Sequence, residues 1–153
     1  MTDATLKQTI TDAMKSALRA GEKKRLGAIR LILAELKRVE VDERITLQDD
    51  RTLAILDRML KQRRDSHKQY RDAGRDDLAN QEAFEIEVIQ QFLPAALSNE
   101  ELDSLIASAI ADSGAQSMRD MGKVMAAIKP QVQGRADMGA VSARIKQRLT
   151  PPS

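Results

Sequence analysis

The stretch FLPAALSNEELDSLIASAIADSG, residues 92–114, contains both the end of one helix and the beginning of another. Pro94 disfavours helical geometry at Leu93 and offers no amide to a preceding turn, so a helix arriving from upstream must stop here. Four residues on, Ser98 and Glu101 have the spacing of a capping box, in which each side chain satisfies the other's exposed amide. Leu102, Leu105, Ile106 and Ile110 then recur at helical spacing until Gly114 closes the run. The segment therefore separates two helical groups and predicts a boundary between residues 1–94 and residues 95–153.

Upstream, four stripes of apolar residues read as four helices. Leu6, Ile10, Met14, Ala17 and Leu18 form the first, which stops at Gly21. Leu26, Ile29, Ile32, Leu33 and Leu36 form the second, trailing off near Val39. Thr46 with Asp49 predicts a capping box for a long third helix, through Leu53, Leu56, Met59 and Leu60 to about Tyr70, with Gly74 as its stop. The fourth runs from about Asp77 to Leu93. Downstream of Gly114, Ser117 predicts the start of a helix carrying Met118, Met121, Val124, Met125 and Ile128, with Pro130 just past its end. Asp137 caps a last helix with Met138, Val141, Ile145 and Leu149 on one face. The expectation is an all-α chain: a four-helix N-terminal part followed by a small three-helix C-terminal domain.

Composition supports this. Hydrophobic residues make up 42% of the 153, yet aromatics only 2%, so aliphatic side chains and methionine must build the core. A β-sandwich would want more aromatic and β-branched residues. Cysteine is absent, which excludes disulfides and thiol chemistry. No apolar run approaches the roughly 20 residues of a membrane-spanning helix. The opening MTDATLKQTITDAMKS resembles neither a secretory signal nor a transit peptide. These features lead to the expectation of a cytoplasmic protein without membrane contact.

Charge is unevenly distributed although the net value is only +2. Residues 94–116 contain Glu100, Glu101, Asp103 and Asp112 and no cation. Residues 117–150 carry seven lysines and arginines against Asp120 and Asp137. A phosphate-binding loop at Met121-Gly122-Lys123-Val124 is excluded, because the required upstream glycine is Ser117 and Lys123 precedes valine instead of serine or threonine. Spaced cations can instead follow a nucleic-acid backbone. Arg119 and Lys123, then Arg144 and Arg148, are each four residues apart, and Arg135 lies in the turn between the two helices. These five are the candidate RNA contacts. No aromatic in this half can stack on a base, so backbone contact is favoured over sequence reading.

One further constellation lies upstream. Helical spacing extends the Leu53–Leu56–Leu60 stripe to Arg63, His67 and Tyr70, and places Glu85, with Glu82 at its edge, on the inner side of the next helix. An antiparallel hairpin about Gly74 would bring Arg63 level with Glu85 and His67 level with Glu82. Such a group suits a structural polar network better than catalysis. A metal centre is not expected, since neither glutamate has a histidine three residues on. No catalytic residue, metal or cofactor is assigned.

The segments KQRRDSHKQYRDAGRDDLANQE, IEVIQQFLPAALSNEEL and MGKVMAAIKPQVQGRADMGAVSARIKQRL resemble the YqeY family of small bacterial proteins over nearly the whole chain. The C-terminal portion is similar to the tail domain of the B subunit of the glutamine-dependent aspartyl/glutamyl-tRNA amidotransferase. This resemblance implies an all-helical fold and a tRNA-contacting role centred on Lys123 and the Gly134-Arg135-Ala136-Asp137 turn. It also implies the family label of carbon–nitrogen ligase with glutamine as amido donor. The chain has no counterpart of the amidotransferase catalytic body or of its amidase subunit, so any such label is inherited by homology. Two functions are consistent with these features. One is a non-catalytic tRNA-binding accessory module. The other is an adaptor docking a translation enzyme, such as a tRNA synthetase or amidotransferase, through the N-terminal helices.

Overall fold

The computed structural model describes residues 5–150. Among these are seven α-helices and one short 3-10 turn, with no strand. They form two compact units, divided between Leu93 and Pro94.

The N-terminal unit holds α1 (Leu6–Ala20), α2 (Lys23–Glu43), α3 (Asp49–Asp72) and α4 (Asp76–Gln90). Helices α1 and α2 form one hairpin and α3 and α4 another. Gly21 turns the first corner in the left-handed region at φ 71° and Gly74 lies in the second at φ 73°, a conformation that costs glycine least. Ile10, Ile29, Ile32, Leu36, Leu56, Val88 and Ile89 are buried together at the centre. Helix α2 runs past Val39 to Glu43, because Val39 is itself buried and Glu40 is fastened to both neighbouring segments.

That fastening replaces the capping box expected at Thr46. The cap of α3 is Gln48, which makes no side-chain cap bond. Asp49 Oδ1 instead accepts the Leu6 amide of α1 at 2.8 Å, so the carboxylate satisfies the start of a helix 43 residues away. Beside it, Glu40 accepts the Lys7 ammonium at 2.6 Å and the Leu47 amide at 3.0 Å. Those two bonds hold the Glu40 carboxyl below its usual range, the lysine contributing most.

The C-terminal unit holds α5 (Asn99–Ser113), α6 (Met121–Val132) and α7 (Met138–Leu149) around its own aliphatic core of Leu102, Ile106, Val124, Ile128, Val141 and Ile145. The Ser98–Glu101 capping box is present in both directions. Asp137 caps α7 through the Ala140 amide at 3.1 Å. Two details differ from expectation. Ser117 caps the 3-10 turn Met118–Asp120, so α6 begins only at Met121. Pro130 lies inside α6, which continues to Val132. Complete burial of Val132 in the core holds that last turn despite the amide the proline lacks.

Candidate functional site

The candidate residues fall in two clusters, one in each unit. In the N-terminal unit, α3 and α4 pack as an antiparallel pair, which brings Arg63 opposite Glu82 and Glu85. Arg63 Nη1 lies 3.1 Å from Glu85 Oε2 and 3.6 Å from Glu82 Oε2. The side chains of Glu82 and Glu85 are only 12% and 9% exposed, against 28% for Arg63. The contacts are ion pairs without aligned hydrogen bonds, since Oε2 of each glutamate is buried and accepts none. One guanidinium therefore faces two largely dehydrated carboxylates. Burial pushes the Glu85 carboxyl above its ordinary value, with the Arg63 charge opposing and the Glu82 charge adding to the push.

His67 stays outside this network. It is half-buried one turn along α3 and makes neither an ion pair nor a hydrogen bond with Glu82 or Glu85. Glu82 lies instead 3.6 Å from the Arg63 guanidinium, whose planar fork reaches both carboxylates from one position. Among the described residues no group of three or more histidine, aspartate or glutamate side chains is placed to hold a metal ion.

In the C-terminal unit the five candidate cations divide into two sets. Arg144 on α7 reaches α5, donating to Asp103 Oδ1 and to Asn99 Oδ1, both at 2.7 Å. Arg135 donates from Nε to the Ala95 carbonyl at 3.1 Å, while its own carbonyl accepts the Leu97 amide at 2.9 Å. Both arginines thus hold the chain entering α5 against the α6–α7 side of the unit. Arg119, Lys123 and Arg148 are exposed, with 72% of the Lys123 side chain open to solvent. Among the described residues, Lys123 makes one ion pair, the 4.0 Å approach to Asp120. Arg119 lies in the 3-10 turn, so it does not share a continuous α-helix with Lys123. Spacing alone placed all five cations in one class, because a bond to Asp103 or Ala95 depends on partners about 40 residues away. The Glu40–Lys7 and Asp49–Leu6 contacts are likewise invisible to local spacing, since they join residues 33 and 43 positions apart.

The chain matches the family profile described as Yqey-like protein over residues 7–149. A protein of Pyrenophora tritici-repentis named Altered inheritance of mitochondria protein 41, mitochondrial, is 28% identical over 138 residues, covering 88% of this chain and 75% of its own length. A protein of the same name from Vanderwaltozyma polyspora is 30% identical over 115 residues, covering 71% of this chain and 62% of its own. The mitochondrial names overturn the cytoplasmic expectation. Mixed charge and the lack of cysteine are not confined to cytosolic proteins, so they do not select the cytosol.

Proposed function

The chain belongs to the YqeY-like protein family, and from that premise we propose that its C-terminal unit is a non-catalytic module that contacts the phosphate backbone of tRNA. The observation that carries this reading is the set of exposed cations Arg119, Lys123 and Arg148, on a small unit whose acidic residues concentrate in α5. The similarity of this portion to the amidotransferase tail supports tRNA as the polyanion. The names of the relatives support a mitochondrial setting. Arg135 and Arg144 then serve as braces that shape the module, and the carbon–nitrogen ligase label reflects kinship with no reaction of its own.

Titrating bulk tRNA against the full chain by fluorescence anisotropy tests the proposal. Each neutralised phosphate releases counterions, so three contacts give a log–log salt slope of roughly −2 to −3. Lys123→Ala or Arg148→Ala should each reduce its magnitude by about one unit, while Lys15→Ala leaves it unchanged. Absence of binding at low salt overturns the proposal. The adaptor reading then comes forward, and a synthetase or amidotransferase retained in a pulldown after nuclease treatment would support it.

A further inference from the structure

Helix α2 buries Ile29, Ile32, Leu36 and Val39 in the core of its own unit, yet its opposite side is also patterned. Gly27, Leu31, Ala34, Arg38 and Val41 succeed one another at intervals of four, three, four and three residues, and all are exposed. That is the spacing of a two-stranded helical seam. Leu31 is 46% and Val41 61% exposed, which places two of the exposed large hydrophobics of the described residues on this one stripe. A Cβ built on Gly27 meets nothing within 4 Å, so the stripe is open to an approaching helix.

The residues beside the stripe indicate what approaches. Arg30 and Lys37 line one edge and are exposed; Glu35 and Asp42 line the other. Each acid follows a base by five residues, the offset at which two parallel, in-register helices bring opposite edges together. We propose that this face of α2 is a self-association surface, on which a second copy of the chain packs its own α2 in parallel. Arg30 of each copy meets Glu35 of the other, and Lys37 meets Asp42, giving four ion pairs about the two-fold axis. An antiparallel arrangement would set basic edge against basic edge and is disfavoured.

Arg38 fits this seam despite its charge. Its guanidinium is already held by Glu35 at 2.6 Å and Asp42 at 3.0 Å within its own chain, and Arg58 lies 3.6 Å from the same Glu35, so in the proposed dimer each carboxylate bridges its own Arg38 and the facing base of the second copy. Gly27 and Ala34 let the helix axes approach closely while Leu31 and Val41 supply the apolar contact.

Sedimentation of the full chain from about 1 μM to about 500 μM should show a concentration-dependent rise to twice the monomer mass. Leu31→Asp and Val41→Asp should each weaken association at least about tenfold, with far-UV circular dichroism unchanged. The double variants Arg30→Glu/Lys37→Glu and Glu35→Lys/Asp42→Lys should each remain monomeric alone and form a mixed dimer together. Should the second of these fail to fold, Val41→Cys supplies the same information. The chain contains no native cysteine, and parallel register alone sets residue 41 opposite its own copy for rapid disulfide formation. A wild-type chain monomeric throughout this range overturns the proposal. A dimer indifferent to Leu31→Asp, or one whose charge variants do not complement and whose Val41→Cys does not cross-link, overturns it equally.

Discussion

Arg63 and Arg144 each tie one helix to another across a unit, but they do so in opposite environments. Arg63 faces two carboxylates that have lost most of their water and accept no aligned hydrogen bond from it. Arg144 makes two short bonds at 2.7 Å to partners nearer the surface, Asp103 being 46% exposed. Depth and bond quality thus run against each other. The buried cluster is costly to assemble and costlier to break, whereas the surface brace has good geometry and water as a ready substitute. A buried ion pair is therefore weak evidence of net stabilisation, although removing one partner is severe.

The largest effect follows from stripping the buried cluster of its cation. Arg63→Met should cost about 3 kcal/mol in urea unfolding, since it leaves two dehydrated carboxylates uncompensated. Adding Glu85→Gln should recover part of that loss, a coupling that independent sites would not show. Full additivity of the two changes would break the comparison.

Next comes Glu40, which joins α2 to α1 and to the segment before α3. Glu40→Gln should cost about 2 kcal/mol at neutral pH, because the amide keeps only one acceptor oxygen and so loses either the Lys7 or the Leu47 bond, together with the charge that strengthens both. Its pH dependence has the opposite sign to that of Glu85. Glu40, with its folded value lowered, contributes stability above the ordinary 4.5 that disappears as pH falls through the folded value. Glu85, with its folded value raised, contributes stability that is complete below 4.5 and disappears as pH rises through the folded value. Relative to wild type, Glu40→Gln should therefore look worst near neutrality, and Glu85→Gln should look progressively better from pH 4.5 upward. Parallel pH profiles for the two variants would contradict the environments described for them.

Arg144→Ala should cost about 1 kcal/mol, because water replaces much of what Asp103 and Asn99 lose. Hydrogen exchange should locate the loss in α5 and α7 and leave α3 and α4 unchanged. A loss as large as that of Arg63→Met would remove the contrast between depth and geometry. The smallest effect belongs to Lys123→Ala, which should alter stability by less than about 0.5 kcal/mol while weakening tRNA binding. A large fall in melting temperature would show that Lys123 is a third brace and would withdraw it from the proposed surface.

The architecture was legible in the sequence because its determinants are local. Helical periodicity, the Ser98–Glu101 box, Gly21, Gly114 and the Pro94 break each act within a few residues, and together they specify seven helices in two groups. The level of Arg63 with Glu85 was legible too, since a hairpin of known corner sets depth by counting turns. Local patterns do not determine which of several possible partners a long polar side chain takes. Asp49 had the spacing of a cap for its own helix and serves α1 instead, while His67 had the right depth but Glu82 lies against Arg63. Arg135 and Arg144 matched Lys123 in residue class and helical spacing. Only the packing of α5 against α7 and of the Pro94–Ser98 segment against the turn at Arg135 committed those two cations and left Lys123 exposed. Backbone conformation is set over one or two helical turns, whereas a side-chain bond is set by whatever folding brings within about 3 Å.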